Sequence, residues 1–138
     1  MNSIPITLYI CGPMTFRADT DFNYPAFNAA AKLLRQAGYT VMCPTEVDFE
    51  ADPLIPPTKE TAKPWDWYMR RTLIQVIHST GIAILPCTME HLFGSDGAQT
   101  ELFLARKLKL PILTVDEWVS EALRHREIAR KAPSRDNV

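Results

Sequence analysis

The feature that most restricts this chain is an apolar, largely β-branched run at residues 6–11, Ile6-Thr7-Leu8-Tyr9-Ile10-Cys11, closed by Gly12-Pro13. A strand with one wet face alternates apolar and polar residues. This run is almost continuously apolar, which fits a strand covered on both faces. After a polar loop, residues 24–37 place Ala29, Leu33 and Leu34 at helical spacing, with Pro25 in the first turn and Gly38 as the stop. Residues 39–43 are a second strand ended by Pro44. Strand, helix and strand in this order form a β-α-β unit, which makes the two strands parallel and the crossover right-handed.

The same rhythm returns further along. Residues 65–79 read as a helix and 82–86 as a third buried strand. A loop at 87–96 follows, then a helix at 97–109, a fourth strand at 111–115 and a closing helix from 117 to about 131 capped by Asp116. Residues 44–64 break the pattern with Pro44, Pro53, Pro56, Pro57 and Pro64. A loop of this length serves either as a lid or binding loop, or as a variable surface excursion. Alternating strands and helices predict a three-layer, doubly wound α/β domain of the Rossmann or flavodoxin-like kind, with a parallel sheet of four to five strands. The 138 residues fit one domain, 1–138, without internal repeats.

Composition narrows the partners. With 46% hydrophobic and 22% charged residues and a net charge of −1, the chain has no global field for a polyanion, so nucleic acid is not an expected partner. No apolar run approaches the ~20 residues that span a bilayer, and residues 1–5 lack the features of a signal peptide, so a cytoplasmic protein without a membrane partner is expected. The three cysteines, Cys11, Cys43 and Cys87, lack a C-x-x-C spacing and read as reduced thiols, each at the end of a predicted strand. His78, His91 and His125 show no metal spacing. Neither a metal nor a cofactor is expected.

In a parallel sheet the turn Cys11-Gly12-Pro13-Met14, the stretch Pro44-Thr45-Glu46 and the loop at 87–97 all open onto the carboxyl edge, where they would line one crevice. Gly12 permits close approach of a ligand to the backbone. The turn matches neither G-x-G-x-x-G nor a P-loop, which disfavours an ordinary nucleotide triphosphatase, and no flavin-loop signature is present. Ser95-Asp96-Gly97 opens a helix in which Ala98, Glu101, Ala105 and Leu108 share one face. A carboxylate on a face of small apolar residues is unusual. The helix N-terminus would favour its ionised form, as a nucleophile requires, but a glutamate in that position also serves helix stability alone. Spacing leaves both readings open.

Several motifs then converge on one family. Tyr9-Ile10-Cys11-Gly12-Pro13-Met14 resembles the Y-x-x-G-P opening of the nucleoside 2-deoxyribosyltransferases and their relatives, the deoxynucleoside monophosphate N-glycosidases. Asn23-Tyr24-Pro25-Ala26-Phe27-Asn28, Pro44-Thr45-Glu46 and Trp67-Tyr68-Met69-Arg70-Arg71 are similar to a compact, often phage-encoded branch. Ser95-Asp96-Gly97-Ala98-Gln99-Thr100-Glu101, then Ala105 and Leu110-Pro111, extend the resemblance over residues 8–115. The resemblance implies a retaining mechanism in which a carboxylate attacks C1′ of the sugar, and Glu101 matches that nucleophile. It also implies that Tyr9 orients the carboxylate, where a strand tyrosine would otherwise only pack in the core. Subunits of the resembling family complete one another's sites, so a homo-oligomer, dimer or higher, is the implied assembly, and the implied ligand is a small nucleoside or nucleotide.

One departure stands out against the family pattern. Thr72 occupies the place where the family commonly has an aspartate tied to sugar handling or to protonation of the leaving base. Threonine is no general acid at neutral pH. Asp66 and Asp96 are the substitutes at hand, although such aspartates are usually solvated or capping. A substrate phosphate would need cations, and Arg17, Arg70 and Arg71 are candidates that would otherwise be solvated surface residues. Phe16, Trp65 and Trp67 are candidates for stacking on a base or for anchoring the helix start. The basic side chains Arg124, Arg126, Arg130 and Lys131 read as a solvated face of the closing helix.

Overall fold

A computed structural model of the chain describes residues 4–14, 23–46, 61 and 63–131. Among them the order of elements is β1 (Thr7–Cys11), α1 (Tyr24–Gln36), β2 (Thr40–Met42), α2 (Trp65–His78), β3 (Gly81–Ile84), α3 (Met89–Phe93), α4 (Asp96–Lys107), β4 (Ile112–Thr114) and α5 (Val115–Lys131). The four strands form one all-parallel sheet in the order β2-β1-β3-β4, flanked by helices. This is the doubly wound α/β architecture expected from the β-α-β rhythm.

The continuous apolarity of β1 is explained by two cores. Leu8 and Ile10 point to one side of the sheet, where they pack with Phe27, Leu34 and Trp118 from α1 and α5. Tyr9 and Cys11 point to the other, against Val76 of α2 and Ala98, Leu102 and Ala105 of α4. All four β1 residues are 0% exposed. The strand order reverses direction beside β1: the first crossover leads to β2 on one side, the next to β3 on the other. Ligands of such sheets bind outside the carboxyl ends of the strands at this switch point, here β1 and β3.

Element ends follow local chemistry. Gly38 has φ 110° and closes α1, with Tyr39 N–H donating to Leu34 O and Gly38 N–H to Arg35 O, a Schellman pair as expected of a glycine stop. Lys109, at φ 58°, does the same for α4 without the freedom of a glycine. The cap of the closing helix differs from expectation. Thr114 rather than Asp116 caps it: Glu117 N–H donates to Thr114 Oγ1 and Thr114 N–H to Glu117 Oε1, a reciprocal capping box. The sequence T-x-x-E carried that signal. Residues 87–96 are not wholly loop, because Thr88 accepts from His91 N–H and starts the short α3. Arg126 is not simply solvated: its guanidinium donates to Ala37 O and Gln36 O at the end of α1.

Gly12 has a packing role. A Cβ there would lie 2.7 Å from Leu85 Cδ1 and 2.9 Å from its Cβ, so the β1 turn can pass the end of β3 only without a side chain. The expected reason, room for a ligand, is not needed to explain this glycine. Among the described residues, no helix is long and apolar enough to cross a membrane.

Candidate active site

α4 begins where Ser95, in extended backbone, accepts a hydrogen bond from Ala98 N–H through its hydroxyl at 3.3 Å. From that start the 3.6-residue period turns Ala98, Glu101, Leu102 and Ala105 toward the sheet, all buried. Leu108, expected on the same face, is 45% exposed because the helix ends at Lys107 and the Schellman turn swings it outward. Glu101 is 6% exposed. A carboxylate at that depth needs hydrogen-bond donors, since desolvation without them costs several kcal/mol, about 2 or more.

β1 supplies them. The Tyr9 phenol donates to Glu101 Oε2 across the layer between sheet and helix. Cys11, two residues along the strand and therefore on the same face, places Sγ 3.6 Å from Glu101 Oε1 and 3.7 Å from the Ala98 carbonyl. Thr72 of α2 joins from the third side: it is 6% exposed, its hydroxyl 3.8 Å from Met69 Sδ, and it is a hydrogen-bond neighbour of the Tyr9 phenol. Two side chains of β1 thus meet the Glu101 carboxylate of α4, with Thr72 of α2 beside the phenol. Glu101 is the sixth residue of α4, beyond the first turn where the helix dipole acts, and it is Tyr9 and Cys11 of β1 that donate to its carboxyl oxygens.

Burial first, then the neighbouring Glu101 charge, pushes the Tyr9 phenol well above its ordinary range, and the same two causes push the Cys11 thiol up. Both groups therefore hold their protons at neutral pH and act as donors. Because the folded values are raised, the stability these groups contribute is fully present below their unfolded values, about 8.5 for cysteine and 10 for tyrosine, and is lost as pH climbs above them. Melting temperature is expected to fall from about pH 8.5 upward, each group adding a slope of about 1.4 kcal/mol per pH unit. Tyr9→Phe should flatten the decline above about pH 10, as followed by thermal melts in a pH series. An unaltered slope in that variant would show that the phenol does not control alkaline stability.

The other sequence candidates lie at varying distances from this cluster. Pro13 is buried, its carbonyl accepting from Asn23 Nδ2 at 3.1 Å, and Met14 packs half-buried against the α1 side of the core. Gly97 lies in the first turn of α4 next to α2, where a Cβ would make ordinary contact with Met69 Sδ at 3.4 Å. Asp96 is exposed on the far face of α4, where with Trp65, Gln99, Thr100 and Phe103 it lines a groove of about 500 Å³. That groove does not reach Glu101. Asp66 and Arg70 face each other at 3.7 Å on the exposed start of α2. Glu46 is engaged by Arg35 at 2.5 Å beside α1, away from Glu101. Arg71 stacks its guanidinium 3.6 Å over the Trp67 ring and donates to Trp67 O, so both are occupied within α2. Arg17 and Phe16 lie outside the described residues.

Cys11 and Thr72 are the cluster members that sequence reasoning used least well. The signal for Cys11 was the two-residue offset from Tyr9 on a strand, which puts both on one face. Cys43 lies on the opposite side of the sheet from Cys11, with Sγ 3.1 Å from Thr45 Oγ1. Among the described residues, no group of three or more His, Cys, Asp or Glu is arranged to hold a metal ion.

Comparison with curated proteins and with solved structures gives no match. The sequence pattern of one family, described as Domain of unknown function (DUF4406), matches residues 6–114, a span that takes in β1, the Tyr9, Cys11, Thr72 and Glu101 cluster and β4, and the chain belongs to that family.

Proposed function

We propose that this protein cleaves the N-glycosidic bond of a nucleoside, deoxynucleoside or deoxynucleoside 5′-monophosphate, with Glu101 as nucleophile. The observation that carries the reading is the buried Glu101 carboxylate held by the Tyr9 phenol beside the carboxyl end of β1, at the switch point of the sheet. In this reading a Glu101 oxygen forms a bond to C1′ as the C1′–N bond breaks, and the base leaves with the electron pair and takes up a proton. The ester is then resolved by water, releasing the sugar, or by a second base. The motif resemblance to nucleoside 2-deoxyribosyltransferases supports the same assignment.

A second reading is favoured by one residue. Thr72, beside Tyr9, offers no proton to a leaving base, and Asp96 and Asp66 are on outer faces. A nucleotide-binding protein of the same fold without turnover would need no acid. Incubation with a panel of deoxynucleosides and their 5′-monophosphates, with and without an acceptor base, separates the readings by chromatography. Free base without any acceptor marks a hydrolase, and base exchange only with an acceptor marks a transferase. No release, with a monophosphate raising the melting temperature, favours the binding protein and sinks the enzyme.

Thr72→Asp tests the departure. A second carboxylate buried beside Glu101 resists ionisation, so its folded pKa is raised and it is expected to cost about 2 kcal/mol or more at pH 7. The penalty should be absent below about pH 4, the unfolded value, and grow as pH rises above it. Denaturant melts at pH 4 and pH 7 read this directly. If base release also quickens, the new acid is protonating the base; an unchanged rate means that another group already does.

A further inference from the structure

The mechanism above uses one donor to Glu101, the Tyr9 phenol, and leaves the second, Cys11, without a task. Cys11 is 0% exposed, so its thiol is sheltered from solvent oxidants and from competing substrates. Its Sγ has two acceptors at nearly equal reach, Glu101 Oε1 at 3.6 Å and the Ala98 carbonyl at 3.7 Å, but a thiol has one proton to give. The choice between them is set by charge. A carboxylate is the stronger acceptor, and an ester oxygen the weaker.

We propose that Cys11 is a positioning residue for Glu101, a thiol that donates to Oε1 while the carboxylate is charged and turns to the Ala98 carbonyl once Glu101 has become an ester. The proposal rests on the reading of Glu101 as nucleophile. In the covalent step Cys11 keeps its proton throughout: the Glu101 oxygen supplies the electron pair of the new bond to C1′, and the base leaves with the pair of the broken C1′–N bond. When water or a second base later attacks C1′, the pair of the C1′–O bond returns to Glu101, and the thiol turns back to the restored carboxylate.

The chemistry of sulfur suits this task. An S–H is a weak donor, so it orients the carboxylate without tying up its lone pairs as two strong donors would. Burial and the Glu101 charge hold the thiol protonated, which keeps it from becoming a rival nucleophile. The titratable groups that bear on the pair are Tyr9 on the same strand, Glu101 on α4 and, more distantly, Cys87 after β3, while α2 contributes the neutral Thr72 and Met69. Tyr9 and Cys11 keep their protons at neutral pH and below, so a shift of the Glu101 titration in a Cys11 variant reports the loss of the thiol donor.

The test is the carbon-13 titration of the Glu101 side-chain carboxyl in the full chain, its resonance assigned by loss in Glu101→Gln, for the natural protein, Cys11→Ala and Cys11→Ser. Loss of the donor in Cys11→Ala should move the Glu101 midpoint to higher pH, and the hydroxyl of Cys11→Ser should bring it back. Equal midpoints in Cys11→Ala and the natural protein overturn the proposal, as does a Cys11→Ser variant shifted as far as Cys11→Ala. Melting temperatures of both variants show that each is folded, and the serine variant keeps the test open if alanine loosens the core. With substrate, the acid limb of kcat/KM should move with the midpoint, and kcat should drop about 3- to 10-fold in Cys11→Ala with KM little altered, the worth of one weak charge-assisted donor. A shifted midpoint in a protein that releases no base leaves the thiol–carboxylate link standing and removes the nucleophile reading instead.

Discussion

Glu101→Gln is expected to lower base release by about 10³-fold or more while leaving the protein folded, because it removes the attacking oxygen anion and little else. The amide is nearly isosteric with the carboxylate. Its oxygen can still accept from the Tyr9 phenol, so the buried donor keeps a partner and the melting temperature should change little. Glu101→Ala makes an informative contrast: it would leave the Tyr9 phenol as a buried donor facing a cavity, at a cost of about 1–3 kcal/mol, while the Cys11 thiol keeps the Ala98 carbonyl as acceptor. Single-turnover chromatography of base release, run beside thermal melts, separates the two effects. A glutamine variant that kept a tenth or more of the rate would mean that some other group attacks C1′.

Trp118→Ala is expected to cost about 3–5 kcal/mol, a large share of the 5–15 kcal/mol that holds a typical domain together. The indole is 5% exposed and ties α5 to β3 and to Tyr39, the residue before β2. Its Nε1–H donates to Ile82 O of β3 at 2.7 Å, its ring meets Tyr39 edge-on at a centroid distance of 5.7 Å, and the Tyr39 hydroxyl returns a hydrogen bond to the Trp118 carbonyl at 2.7 Å. Gly81 leaves space for it, since a Cβ there would sit 3.1 Å from the indole. Trp118→Phe should cost less, because most of the packing survives and only the bond to Ile82 is lost. Urea melts with unchanged m-values would check both. A loss under about 1 kcal/mol for the alanine variant would mean that α5 is not anchored through this residue.

Periodicity carried the fold a long way and the site only part of it. The apolar run of β1, the glycine after α1 and the alternation of strands with helices are local patterns, and local patterns survive in sequence because backbone geometry repeats every two or 3.6 residues. The inward face of α4 was legible for the same reason, which is why Glu101 stood out among alanines. Failures came where a local rule had two candidate residues, as at Thr114 and Asp116, or where a helix ended two residues early, as at Leu108.

The partners of the carboxylate belong to another category. Tyr9 and Glu101 are 92 positions apart, Cys11 and Glu101 are 90 apart, and Thr72 comes from a helix on neither side of β1 in sequence. Motif resemblance linked Tyr9 to Glu101, but no spacing rule could. The same holds for what the structure sets apart: Asp96 is five residues from Glu101 yet on the opposite face of α4, and Glu46, predicted for the crevice, is drawn to Arg35.

By itself, then, the sequence determined a parallel α/β sheet with a carboxylate on the inward face of the helix before its fourth strand, because strand and helix periods are written residue by residue. Only the tertiary structure decided that this carboxylate is met by a phenol and a thiol from one strand, with a threonine beside the phenol. Side-chain hydrogen bonds between distant segments depend on how α2 and α4 settle against the sheet, and that is set by close packing of Val76, Ala98, Leu102 and Ala105 with Tyr9, Cys11 and Ile82, not by any local pattern.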